Sequence, residues 1–247
     1  MDPRTVGYIH TTLHKALKDA VADGLVPRNV TAGMKAPSSK KKEITPLSPE
    51  QARAFLEAAR GDHFEALYIL AMTAGLRAGE LLGLKWDDLD LDTGTLSVRR
   101  SHSETRNGRR FEAPKNGKGR SISLTKQAVV ALRGHRKRES EEHLRLGTLW
   151  QDNDLVFPSQ KGTPMNAKNL TARSFKPLLG HVGTPRTLRF HDLRHTCATL
   201  LLAKGVHPKI VQELLGHATI AITLDTYSHV LPNMQGEAVL AMESALF

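Results

Sequence analysis

The chain has 247 residues, 40% of them hydrophobic and only 5% aromatic, which suits one large helix-rich domain or a domain with a smaller companion. Lysine and arginine outnumber aspartate and glutamate by 35 to 25, a net charge of +10 that fits a polyanionic partner without choosing among nucleic acid, an anionic membrane surface and ribosomal contact. The single cysteine, Cys197, excludes an internal disulfide and a cysteine-built zinc site. It agrees with a reducing cytoplasm. None of the twelve histidines falls in an HExxH pattern, no apolar run approaches membrane-spanning length, and Met1–Thr5 lacks a signal-peptide core.

Asp2-Pro3 reads as a helix start, with Asp2 as N-cap and proline at the first helical position. Val6, Ile9, Leu13, Leu17 and Val21 then form an apolar stripe, and Gly24 ends it. Pro27 to Met34 is expected to add a second short helix. Ala36 to Pro46 is basic and contains proline and serine, so it reads as a linker. Ser48-Pro49-Glu50-Gln51 has the form of a capping box. Helices are expected over 49–59 and 63–74, with Gly75 closing the second and Arg77 at the start of a short helix through Leu82.

From Leu89 the pattern turns to strands. Segments 95–98, 110–113 and 121–124 are expected to form one small antiparallel sheet, with turns at Asn107-Gly108 and Asn116-Gly117. Thr125 caps a helix over 126–145. Further helices are expected at 166–179, 191–204, 208–215, 219–228 and 234–246. The fold class is α+β, mostly helical.

The chemistry-bearing residues concentrate in three stretches. Arginine is planar, permanently charged and bidentate, so Arg77 and Arg194 suit a pair that clamps a phosphodiester. His191 lies three residues before Arg194, on the same helix face, and His217 follows Gly216 just past a helix. An imidazole near neutral pH can pass a proton or donate to phosphate. Tyr227 supplies a phenol able to attack phosphorus and form a covalent ester. Taken singly, each of these has a blander reading: surface charge, a satisfied loop histidine, a core tyrosine.

TAGLRAGELLGLKWDDLD (73–90), RFHDLRHTCATLLL (189–202) and LLGHATIAITLDTYSHV (214–230) resemble, in order, the boxes of the tyrosine recombinases, specifically the phage-type integrases. The resemblance covers about 44–247. It implies a catalytic domain in which Arg77, His191, Arg194 and His217 surround a scissile phosphate and Tyr227 is the nucleophile, with no metal and no cofactor. It also implies a lysine in the turn before the last strand. Lys115 fits best as general acid, and Lys118 competes for the place. Glu80 matches an acidic position that supports the site.

The implied activity is site-specific cleavage and rejoining of DNA through a 3′-phosphotyrosyl intermediate, for integration or excision of a mobile element. The implied partners are double-stranded attachment sites and three further copies of the chain, with exchange of the C-terminal helix between neighbours. The implied organisation is a shortened helical core-binding domain (1–35), a basic linker (36–47) and the catalytic domain (48–247). The location expected of a bacterial or phage-encoded protein is the cytoplasm, on DNA, without a membrane. Two other readings remain open: a non-catalytic DNA-binding remnant or assembly partner, suggested by the short N-terminal part, and a type IB topoisomerase.

Overall fold

The computed structural model describes residues 1–35, 46–105, 108–113, 119–185, 187–227, 239 and 242–246. Two compact units divide the chain, Met1–Ile44 and Thr45–Phe247. No described helix is long and apolar enough to cross a membrane.

In the first unit, α1 (Pro3–Ala22) starts where expected. The Asp2 carboxylate accepts from the Arg4 amide, and Pro3 opens the first turn. No residue of α1 is buried, and Ile9 and Leu13 of its stripe stay exposed. The expected helix over 27–34 is absent; these residues form successive turns. Side-chain chemistry explains the difference. Asn29 Oδ1 accepts from both the amide and the hydroxyl of Thr31, offering the backbone a partner outside a helix. Asn29 Nδ2 then donates to the His14 carbonyl, and Thr31 Oγ1 pairs with His14 Nδ1, which ties the turns to α1.

The second unit is built on α3 (Glu65–Thr73). Ala66 through Met72 are all buried, so α3 is enclosed on every side. Around it lie α2 (Pro49–Ala58), α4 (Ala78–Leu82), α5 (Lys126–Leu146) and α8 (Asp192–Ala203). Ser48 and Gln51 form the predicted reciprocal box on α2, and the Thr125 hydroxyl caps α5. Phe55, Tyr68, Phe175 and Phe190 form an edge-to-face aromatic cluster, with Phe55 and Tyr68 centroids 5.2 Å apart. The predicted helix over 166–179 is α6 (Ala167–Leu170), a π-turn (Thr171–Phe175) and α7 (Lys176–His181). The π-turn ends two residues before Pro177, which lacks the N–H to continue the ladder.

The strands differ from expectation. There are five among the described residues: β1 (Leu89–Asp90), β2 (Thr95–Val98), β3 (Ser101–Thr105), β4 (Gly108–Glu112) and β5 (Arg120–Ser123). A three-stranded antiparallel sheet exists, in the order β1-β2-β5, with Leu96 opposite Ile122. The expected middle strand is not in it. That segment is β4, which pairs instead with β3 in a separate hairpin, His102 opposite Phe111. β3 reads Ser-His-Ser-Glu-Thr and β4 is exposed throughout, so neither carries the apolar alternation that marks a half-buried strand.

A second, smaller apolar cluster joins α8 to α9 (Pro208–Leu215) and α10 (Ile220–Tyr227). It consists of Ala198, Leu202, Val211, Leu215 and Tyr227. Most of the last expected helix, 234–246, lies outside the described residues; 242–246 are helical.

Candidate active site

The end of α9 organises the site. Gly216 takes the left-handed conformation at φ 64°, and the His217 amide returns to the Gln212 carbonyl. The last carbonyls of such a helix have no partner within it and carry partial negative charge. Three guanidiniums take three successive ones. Arg120 Nε donates to Leu214 O at 2.9 Å, Arg194 Nη2 to Leu215 O at 2.6 Å and Arg77 Nη2 to Gly216 O at 3.4 Å. Each arginine comes from a different element: Arg120 from β5, Arg194 from α8 and Arg77 from the N-cap of α4.

Glu80 ties two of them together. Its carboxylate is buried and accepts both arms of Arg120, at 3.0 and 2.8 Å. It also takes Arg77 Nη1 at 2.7 Å and the Arg77 amide at 2.9 Å. Burial by itself would raise this carboxyl; the hydrogen bonds and charges of Arg120 and Arg77 outweigh it and bring it down to about 2. Three guanidiniums therefore gather around a single carboxylate that bonds two of them, which leaves the cluster with excess positive charge among the described residues.

Arg194 is 2% exposed, and its second arm donates to Gly75 O at 2.6 Å. Burial, and then the neighbouring Arg77, lower its pKa to about 9. Gly75 permits this approach because its φ is +60° and a Cβ there would lie 2.5 Å from Leu215 Cδ2. Gly75→Ala is expected to cost roughly 2 kcal/mol or more, since it combines a left-handed Ala with an overpacked core; chemical denaturation measures it.

His217 follows the Gly216 turn, and its Nδ1 pairs with Thr223 Oγ1 at 2.9 Å. Burial, then Arg194 and Arg77, push it down to about 4, so it is a neutral imidazole at pH 7. His191 sits at the N-cap of α8, in a turn fixed by Asp192, whose carboxylate accepts from the Arg189 amide at 2.7 Å. Its ring meets that of His195 edge-on at 4.9 Å. Burial of part of the ring, with His195 and Arg194 nearby, holds it below the usual imidazole range. Tyr227 ends α10 with 1% exposure, and its hydroxyl lies 2.6 Å from Nδ1 of His195.

The structure brings Arg77, Glu80, His191, Arg194, His217 and Tyr227 near one another. Lys115 and Lys118 lie outside the described residues, between β4 and β5. Two participants escaped the sequence reading. Arg120 reads there as one more turn cation, and only its bonds to Glu80 and Leu214 reveal it. His195 was overshadowed by Arg194 beside it, although its place one turn after His191 puts both rings on one face.

A mostly helical α+β domain that gathers two arginines, two histidines and a tyrosine in this order defines the tyrosine recombinase class of catalytic domain. Residues 46–234 match the phage integrase family, and the chain belongs to it. A tyrosine recombinase XerC-like protein of Caldanaerobacter subterraneus subsp. tengcongensis is 34% identical over 256 residues, covering 96% of this chain and 65% of the relative. The ICEBs1 integrase of Bacillus subtilis is 28% identical, covering 98% of this chain and 66% of the relative. The chain thus spans just under two thirds of the length of these relatives. The Tn1549 transposon integrase, solved with a circular intermediate DNA, superposes with a TM-score of 0.80 at 22% identity, covering 98% of this chain and 80% of that one. This likeness establishes a shared fold.

Proposed function

We propose that this chain carries the catalytic domain of a site-specific DNA recombinase that cuts and rejoins strands through a 3′-phosphotyrosyl link. The supporting observation is the convergence of Arg77 and Arg194 on the adjacent carbonyls of Leu215 and Gly216, beside His217. That concentration of positive charge supports docking of a phosphodiester there. The two guanidiniums then stabilise the charge that builds on the non-bridging oxygens. His191 and His217, neutral at pH 7, gain basicity as the phosphate approaches and donate to it. Tyr227 attacks, and Lys115, or Lys118 in its place, protonates the departing 5′-oxygen. A 5′-hydroxyl from a second duplex reverses the step.

The net charge of +10 supports double-stranded DNA as the partner. Residues 1–35 are assigned to a core-binding part that grips DNA, 36–47 to a linker and 48–247 to the catalytic domain. Four copies act together at paired attachment sites during integration or excision of a mobile element. Val239, Met242 and Leu246 are exposed, which supports docking of the C-terminal segment on a neighbouring copy.

The test uses nicked duplexes tiled across the DNA flanking the chain's own reading frame, at low salt. A nick just downstream of the cut site lets the short fragment with the free 5′-hydroxyl diffuse away and traps the covalent product. The expected product, after nuclease trimming, is a nucleotide on the Tyr227 peptide by mass spectrometry. No adduct, or an adduct on another residue, overturns the assignment.

A further inference from the structure

The Tyr227 ring is enclosed by Ala198, Leu202, Val211 and Leu215, while its hydroxyl meets a base. Burial raises this phenol to about 12, although Arg194 pulls the other way. A phenol at that value is almost wholly protonated at neutral pH, so attack on phosphorus requires a proton acceptor in contact with it. His195 Nδ1, at 2.6 Å, is in contact. Burial holds His195 below the usual imidazole range, with Asp192 raising it and Arg189 and Arg194 lowering it further. Among the described residues its other titratable neighbours include the His191 ring, His217 and Tyr227 itself. The imidazole is consequently neutral near pH 7. With Nε2 carrying its proton, the Nδ1 lone pair faces the phenol.

We propose that His195 is a catalytic residue: it orients Tyr227 and accepts its proton during strand cleavage. The proposal rests on the DNA-cleaving reading above. In the step, the Tyr227 oxygen bonds to phosphorus and the bond from phosphorus to the 5′-oxygen breaks. The phenolic proton passes to His195 Nδ1, and the 5′-oxygen leaves with a proton from the general acid. Rejoining returns the His195 proton to the phenolate as it departs. The incoming phosphodiester brings negative charge into the pocket, which strengthens the imidazole as a base when it is needed. Asp192, already on the same helix turn, favours the imidazolium that results.

The experiment is single-turnover cleavage of the trapped nicked duplex by wild type, His195→Asn and His195→Ala. A second duplex carries sulfur in place of the bridging 5′-oxygen at the cut. A thiolate leaves without a proton, so sulfur relieves a missing general acid and does nothing for a missing base on the nucleophile. Asparagine offers an acceptor oxygen to the phenol without basicity, and thermal melting with DNA binding shows that the variant is folded. Both variants are expected to cleave about a hundredfold or more slowly, with no recovery on sulfur. In the asparagine variant the rate is expected to keep rising with pH where the wild type has levelled off. Cleavage by folded His195→Asn within threefold of wild type overturns the proposal. Recovery on the sulfur duplex overturns it as well, by moving His195 to the leaving-group side. Absence of any wild-type adduct fails the DNA-cleaving reading first and takes this proposal with it.

Discussion

Glu80→Gln is expected to lower the unfolding free energy by about 3–5 kcal/mol at pH 7, because it leaves Arg120 and Arg77 without their shared counter-charge. The Glu80 side chain is 2% exposed and that of Arg120 is 12% exposed, so water cannot substitute for the lost charge. Glutamine keeps one acceptor oxygen where the carboxylate serves four donors. The acid dependence follows from the direction of the shift. The carboxyl ordinarily titrates near 4.5 and does so near 2 in the folded chain, so the native state holds fewer protons between those values. Its contribution, roughly 3 kcal/mol from the size of the shift, is complete above about pH 4.5 and is lost as pH falls through 2. The gap between wild type and Glu80→Gln should therefore narrow as pH falls from 4.5 toward 2. Urea denaturation at pH 7 and at pH 4 and below measures both. A difference under 1 kcal/mol at pH 7 would remove Glu80 from the centre of the cluster.

That cluster also marks how far a sequence alone can be read. Helix starts were legible where the capping side chain is local: Asp2, Ser48 and Thr125 each cap a helix within three residues of themselves. The turn after α9 was legible because Gly216 must be left-handed. Arg77, Arg194, His217 and Tyr227 could be selected because few functions other than phosphate chemistry use that set together. Arg120 could not, since its partners lie 40 and 94 residues away. The β3–β4 hairpin escaped for a different reason. β4 is exposed throughout and the residue that β3 buries is the polar His102, so neither strand carries an apolar period. The turns over 27–34 were missed because proline and asparagine each suit either a helix start or a turn, and the choice is made by the bond from Asn29 to His14 in α1.

The largest loss of activity short of removing the nucleophile is expected from Arg194→Lys, despite the retained charge. The guanidinium spans two carbonyls, Gly75 O and Leu215 O, that belong to different segments of the chain. In doing so it fixes the distance between the α4 side of the site, where Arg77 sits, and the turn that carries His217. A lysine ammonium can donate to either carbonyl but lacks the planar fork that reaches both while presenting a further N–H to phosphate. Burial and Arg77 compound the effect. They lower Arg194 from 12.5 to about 9. The same surroundings would push a lysine, which begins near 10.4, downward as well. The variant would also leave one of the two buried carbonyls unpaired. The single-turnover cleavage rate is expected to fall by about 10²–10³, with DNA affinity much less affected. The residual rate is expected to fall with rising pH sooner than that of wild type, because a lysine in these surroundings loses its proton more readily than an arginine. A rate within tenfold of wild type and flat with pH would mean that charge alone suffices. The two carbonyl bonds would then serve the fold and not the phosphate.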